Sequence, residues 1–322
     1  MSESTSNGAG LTSGDRVAYL GPRGTFTEAA MIAMPSVSDE QVAVPMSSVD
    51  AVLDAVRTGE VAAGVVPIEN SLEGPVTTTL DAFARDESPL TVVAEWELPV
   101  RFALLARPGG RLADINQVAS IPIAAAQCRQ WLTRNLRDAH VMAALSTASA
   151  AQRLAEEDPP PYDAAISPAI AATHYGLDVL AEDIGDNPDA STRFVLVRRP
   201  GTPPERTGAD KTTLVLFMRE DHSGALLEIL TEFAVRGVNL TRIESRPTRR
   251  QLGDYYFSID CEGHVDDARV GQALTGLRRV CADVRYLGSY PRHDGKFPNV
   301  TPGTTDTAFA DAESWLAEIR NP

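Results

Sequence analysis

Lysine is almost missing from this chain. Lys211 and Lys296 are the only two among 29 cationic residues, so arginine carries nearly all of the positive charge. Positive charge is itself scarce: against 44 carboxylates the formal net charge is -15, which argues against nucleic acid or an anionic membrane surface as a partner. An anionic ligand would need a local cluster of arginines to overcome that field. Cysteine is scarce too. Cys128, Cys261 and Cys281 are odd in number and show no C-x-x-C spacing, so a disulfide framework and a zinc site are not expected and a reducing cytoplasm fits. The five histidines, His140, His174, His222, His264 and His293, are scattered without ligand spacing, and neither a metal site nor a hydrolytic triad is expected. No apolar run is long enough to span a bilayer. Residues 1–15 lack the basic and apolar regions of a secretory signal and are expected to form a disordered tail.

With 322 residues the chain has room for about two domains, and its 43% hydrophobic and 23% charged composition is that of an ordinary globular protein. From Arg16 strand-like and helix-like segments alternate: "RVAYL", "TEAAMIAM", "QVAVPM", "SVDAVLDAVRTG", "EVAAGVVPI". This alternation predicts an α/β domain over 16–200 with largely parallel sheets. The run "TVVAEWELPVRFALLAR" reads as two strands split near Pro99, a crossing between two lobes, and residues 175–197 cross back. Two lobes leave a cleft, a common place for a small ligand. The Pro- and Gly-rich stretch around 201–211 reads as a linker. Over 212–290 the order becomes β-α-β-β-α-β, the ferredoxin-like split βαβ. A tail over 291–322 holds a short helical piece, "DAESWLAEIR".

Four stretches carry candidate chemistry. "YLGPRGTFTEAA" is a Gly-rich loop between a strand and a helix, and Thr25 with Glu28 has capping-box spacing. It reads either as a structural turn or as a loop whose free N–H groups hold an anion. "VVPIENSLEGPV" places Glu69, Asn70 and Ser71 at the C-terminal end of a strand, where an α/β fold gathers ligand contacts, or else forms an ordinary Asn-Ser turn. "SIPIAAAQCRQW" holds Ser120 and Gln127, with Cys128 more in keeping with a small core residue than a nucleophile. In "DASTRFVLVRRP", Thr192 and Arg193 stand at the mouth of the apolar run Phe194 to Val197, which predicts a strand buried on both faces.

Taken in order, "YLGPRGTFTEAA", "VPIENSLEG", "QCRQWL" and "STRFVLV", followed by "SGAL" and "ESRP", resemble the prephenate dehydratases that carry a C-terminal ACT regulatory domain. The likeness runs from about Arg16 to Pro291 and is to single-function members; no fused mutase is expected before Arg16. It implies a two-lobed, periplasmic-binding-protein-like catalytic domain and a ferredoxin-like βαββαβ ACT domain. It further implies conversion of prephenate to phenylpyruvate, CO2 and water. Departing CO2 supplies the electrons, so no cofactor, metal or strong base is implied. By the resemblance, Thr192 serves the leaving hydroxyl and Arg193 pairs with a substrate carboxylate. Thr25, Asn70, Ser71, Ser120, Gln127 and Phe194 line the substrate site. The effector, phenylalanine, is implied at His222, Ser223, Gly224, Ala225 and Leu226 and at Glu244, Ser245, Arg246 and Pro247. These sites usually lie between two ACT domains, so a homo-oligomer is implied.

The chain departs from the family pattern at Ile121 and Ile123, where His and Gln are common, and at Ser223, where proline is common. An arogenate dehydratase, a two-lobed solute-binding protein with an amino-acid sensor, and a catalytically silent regulator stand as the rival readings.

Overall fold

Short helices with one buried stripe and short strands, several of them buried on both faces, make up most of the chain. The computed structural model describes residues 10–38, 41–85, 89–220, 222–249 and 253–321. The chain opens with β1 (Arg16–Leu20), α1 (Phe26–Ala33), β2 (Val42–Met46), α2 (Val49–Thr58) and β3 (Ala63–Asn70). A two-residue β4 (Gly74–Pro75), α3 (Thr77–Phe83), β5 (Thr91–Pro99) and β6 (Ala103–Ala106) follow. Next come β7 (Gln117–Ser120), α4 (Pro122–Gln127), α5 (Arg129–Asn135), β8 (His140–Ala143) and α6 (Thr147–Glu156). The run closes with β9 (Ala164–Ser167), α7 (Ile170–Tyr175), β10 (Asp178–Ala181) and β11 (Ser191–Arg198).

The helix α2 shows why these segments fold as they do. Ser48 caps its start by accepting from Ala51 N, and Gly59, at φ 79°, ends it. Between them Val49, Val52, Leu53 and Val56 form one buried stripe. The stripe lies so close to β3 that a Cβ on Gly64 would come within 2.6 Å of Val52 Cγ1. By contrast, α3 carries three consecutive threonines, poor helix formers, and is helical because Thr79, Leu80, Ala82 and Phe83 are buried.

Two sheets result, in the orders β2-β1-β3-β11-β5, with β4 pairing β3, and β10-β6-β9-β7-β8. The first meets the parallel expectation at β1, which runs parallel to β2 and β3. The second is mixed: β7 is parallel to β8 and β9, whereas β6 is antiparallel to β9 and β10. Strand β6 enters straight from β5 without a helical crossover, so nothing imposes a parallel partner on it.

The C-terminal part comprises β12 (Asp210–Met218), α8 (Ala225–Ala234), β13 (Leu240–Pro247), β14 (Tyr255–Glu262), α9 (Ala268–Val280), β15 (Cys281–Pro291) and α10 (Asp306–Arg320). Its sheet has the order β13-β14-β12-β15 and is antiparallel throughout, the ferredoxin-like arrangement. Helix α10 begins five residues before the expected "DAESWLAEIR", because Thr305 caps it by accepting from Ala308 N. Of the expected disordered tail, residues 1–9 lie outside the described residues. Residues 10–15 are ordered: Leu11 is 1% exposed and Asp15 accepts from Thr12 N at 2.8 Å.

The chain forms two compact units, and they cut across the expected domain boundaries. One holds Thr12–Val76 with Trp96–Phe194; the other holds Thr77–Glu95 together with Val195 onward. In the second unit, α8 and α9 cover one sheet face with Leu214, Leu216, Ile229, Phe233, Ile259 and Leu277. The opposite face is polar. Arg242 makes a two-point pair with Asp260, which is fully buried and also accepts from Thr213 Oγ1. Onto this face the segment Thr77–Glu95 is strapped at three points. Asp81 accepts from Arg246, Arg249 and Tyr256. Arg285 donates to the carbonyls of Ala84 and Arg85, and Lys211 Nζ lies 2.8 and 2.9 Å from the two Glu95 oxygens. Gly288 permits the close approach, since a Cβ there would sit 2.1 Å from Val92 O.

Both members of the Lys211–Glu95 pair are buried, at 9% and 3% side-chain exposure. Lys211→Met is expected to cost about 3–5 kcal/mol by stranding the carboxylate, and Lys211→Met with Glu95→Leu to recover most of it, read as urea midpoints. For Asp81, burial raises the carboxyl pKa, but hydrogen bonds from Arg246 and Tyr256 outweigh it and leave it below its ordinary 3.8. A depressed pKa contributes stability above the unfolded value and loses it as pH falls through the folded one. The stability gap between wild type and Asp81→Asn should therefore be full at neutral pH and close on acidification below 3.8.

Candidate active site

Strand alternation sorts the Thr192-Arg193 pair. Neighbouring residues on β11 point to opposite faces, and each finds its partner on the facing end of β3. Asn70 Nδ2 donates to Thr192 Oγ1 at 2.7 Å, while Arg193 Nε lies 3.7 Å from Glu69 Oε2. One backbone bond and one backbone-to-side-chain bond join the same ends: Ser71 N donates to Ser191 O at 2.9 Å, and Ser191 N donates to Ser71 Oγ at 3.0 Å. The Ser191 hydroxyl in turn donates to Glu97 at 2.6 Å.

The orientation of the Asn70 amide is determined by its surroundings. Its Oδ1 accepts from Leu72 N at 2.9 Å and Glu73 N at 3.0 Å, in the turn between β3 and β4. Its NH2 group must then face Thr192. Because Thr192 Oγ1 receives a hydrogen bond, its own proton is directed elsewhere, and the accepted bond polarises the hydroxyl as a donor. The site thus presents a half-buried, polarised O–H at the head of a strand whose next residues, Phe194 to Val197, are all buried.

The remaining expected site residues divide. Thr25 is buried and its hydroxyl is engaged, donating to Leu20 O at 3.0 Å and accepting from Glu28 N at 3.3 Å. Only half of the capping box forms. The Glu28 carboxylate turns instead to Gly24 N at 2.5 Å and Tyr19 OH at 3.1 Å, and His174 Nε2 lies 3.0 Å from it. Gln127 Nε2 donates to Glu73 Oε1 at 3.0 Å, beside the Asn70 turn. Ser120 is fully buried and donates to Ile166 O at 2.9 Å, and Phe194 is 2% exposed, so both are core positions here. Ile121 packs into the core around Cys128, while Ile123 is 50% exposed. Burial pushes the Cys128 thiol up to about 12, far from the reactive thiolate range.

Sequence reasoning placed Glu69 beside Asn70 without its partner Arg193, and missed Glu73, Glu97, Ser191 and His174. Glu69 and Ser191 are immediate neighbours of the residues it found, but a side chain's strand face and its cross-strand partner cannot be read from adjacency.

At the other candidate site, Gly224 caps α8 at φ 101°, a conformation that favours glycine, and Ala225 is buried. His222 hydrogen-bonds Glu228 at 3.1 Å and Glu220 O at 3.2 Å; the Glu228 bond first, then the carbonyl, raises its pKa. A cavity of about 190 Å³ opens there, lined by Met218, Arg219, His222, Ala225, Ile229 and Val280. Glu244, Ser245, Arg246 and Pro247 do not line it: they lie on β13, where Arg246 is paired with Asp81. Ser223 and Leu226 are exposed.

Thr192→Val and Asn70→Ala should each leave the circular dichroism spectrum intact and lower kcat by about a hundred- to a thousand-fold, the usual loss for one aimed donor. Turnover within threefold of wild type in either variant would take that residue out of the mechanism.

The prephenate dehydratase family model matches residues 17–202, and the ACT domain model matches 212–279. A prephenate dehydratase of Mycobacterium leprae is 48% identical over 312 residues, covering 95% of this chain and 94% of that protein. The crystal structure of a prephenate dehydratase from Arthrobacter aurescens in complex with L-Phe is 51% identical with a TM-score of 0.91, covering 95% of this chain and 100% of that one. A structure of GqqA, described as a novel type of quorum quenching acylase, is 30% identical with a TM-score of 0.75, covering 86% of this chain and 97% of that one.

Proposed function

The chain belongs to the prephenate dehydratase family, and on that premise we propose that it converts prephenate to phenylpyruvate under feedback by phenylalanine. The observation that carries the catalytic reading is the Asn70 Nδ2 to Thr192 Oγ1 hydrogen bond, with the amide locked by Leu72 N and Glu73 N. In the reaction the bond between the ring and its carboxylate breaks, its electron pair moves into the ring, and the C4 hydroxyl leaves as water with one added proton. Aromatisation drives this forward, so the protein's task is to hold the dianion and supply a hydrogen bond or proton to the departing oxygen. Thr192, polarised by Asn70, is the donor. Arg193 supplies positive charge at the same strand mouth; a substrate carboxylate reaches it around the strand's end rather than along the Thr192 face.

Thr192 is poorly suited to the acyl chemistry named for the 30%-identical relative. A nucleophile needs a neighbouring base, and the neighbour of this hydroxyl is an amide that donates to it.

Phenylalanine is the effector in this reading, because the 51%-identical relative was determined in complex with L-Phe. The start of α8 with its cavity and the "ESRP" stretch of β13 would take it, brought together between two copies of the chain, so the working form is a homo-oligomer. The cytoplasm is the proposed location; among the described residues no helix is long and apolar enough to cross a membrane.

Phenylpyruvate formation from prephenate, run beside arogenate with and without phenylalanine, tests the reading. Prephenate turnover suppressed by phenylalanine is expected. Turnover of arogenate in preference would reassign the substrate, and turnover of neither would leave a binding protein.

A further inference from the structure

Among the three points that strap Thr77–Glu95 to the C-terminal sheet, Asp81 differs from the other two in what holds it. Arg285 and Lys211 lie outside the expected effector segments. Asp81 is held by Arg246, within "ESRP", through three contacts of 3.2 Å from its Nε and Nη2. Arg249 Nη2 adds a contact at 2.5 Å and Tyr256 OH another at 2.8 Å. Two guanidiniums thus face one carboxylate that is 15% exposed. Arg249 reaches it from a left-handed backbone, at φ 60°, which a non-glycine residue adopts only under external constraint.

Asp81 also stands close along the chain to the catalytic turn. Strand β4 pairs with the end of β3, Glu69 opposite Pro75 and Asn70 opposite Gly74, and Val76 N donates to Ile68 O. Helix α3 begins at the next residue, Thr77, and carries Asp81 on its second turn. A continuous hydrogen-bonded hairpin and helix therefore run from the Thr192 donor's partner, Asn70, to the partner of Arg246. Lys211–Glu95 fixes the far end of the strap and Arg285 holds Ala84 and Arg85 just past the end of α3, so a change at Asp81 acts on the hairpin side.

We infer that Asp81 is a positioning residue that carries the state of β13 to the Asn70 turn. Resting on the effector reading above, an amino-acid carboxylate at "ESRP" competes with Asp81 for Arg246, and the loss or reorientation of that pair shifts α3 and with it the Asn70 amide. An effector can move an equilibrium only by contacts that differ between two states, and the exchange of Arg246 between two carboxylates is such a difference.

The test is the phenylalanine dose-response of prephenate turnover in wild type, Asp81→Asn, Tyr256→Phe and Arg111→Ala, with phenylalanine binding measured separately by calorimetry. Arg111, exposed and paired with Asp114 outside the strap and the C-terminal sheet, serves as the control. Couplings of this kind span about 5- to 150-fold in affinity. Asp81→Asn weakens the pair as the effector does, so it is expected to lower kcat without effector toward the phenylalanine-inhibited level, to bind phenylalanine still, and to lose at least about fivefold in further inhibition. Tyr256→Phe, which leaves both charges in place, should show a smaller loss, and it carries the test if Asp81→Asn fails to fold. Arg111→Ala should match wild type. Inhibition of Asp81→Asn and Tyr256→Phe with wild-type midpoint and depth would overturn the inference alone. A wild type that phenylalanine does not inhibit would remove the effector reading, and the inference with it.

Discussion

Everything proposed for the reaction depends on which way one side-chain amide points. Asn70 could in principle offer Thr192 either its oxygen or its nitrogen, with opposite chemical consequences. An oxygen facing Thr192 would take the hydroxyl proton and leave a weak acceptor in the site. The turn between β3 and β4 prevents this by directing the N–H groups of Leu72 and Glu73 at Oδ1. The NH2 group then meets Thr192 at 2.7 Å and the threonine proton faces outward. A tight turn, a short hairpin and a cross-strand contact together turn an ordinary hydroxyl into an aimed donor.

The second constraint is topological. A four-stranded sheet with both helices on one side must cover its other face, and here that face carries charge. Arg242–Asp260 is satisfied within the sheet, and Lys211, Arg246 and Arg285 find their partners on Thr77–Glu95. A segment that precedes the C-terminal sheet by more than a hundred residues in sequence is therefore part of the same compact unit. Buried ionic contacts of this kind are weak sources of net stability but strict about partners, since removing one side strands the other.

Charge scarcity also takes on a structural meaning. With a net charge of -15, the arginines at both candidate sites already face carboxylates: Arg193 faces Glu69, and Arg246 faces Asp81. An incoming anion has to compete with a carboxylate of the protein. That competition favours ligands whose remaining contacts add to the exchange, which suits a dianionic ring substrate at one site and an amino acid at the other.

The sequence alone indicated the β-α alternation from Arg16, the βαββαβ order of the C-terminal part and the buried strand behind Thr192, and it drew attention to the Asn70 and Thr192 motifs. These are local properties: hydrophobic period, cap and turn residues, and short ordered motifs each declare themselves within a dozen residues. It could not reveal that α3 is helical despite its threonines, since burial of Leu80 and Phe83 overrides their propensity. Nor could it show that Glu28 leaves its capping box for Gly24 and Tyr19, that Ser120 and Phe194 are core, or that Arg246 is paired with Asp81. Each of these depends on which face a side chain takes and what the rest of the chain brings opposite it, and no residue carries that information in its immediate neighbours. Sequence named the candidate groups; tertiary structure decided their partners, and through the partners, where the Thr192 proton points and which carboxylates Arg193 and Arg246 face.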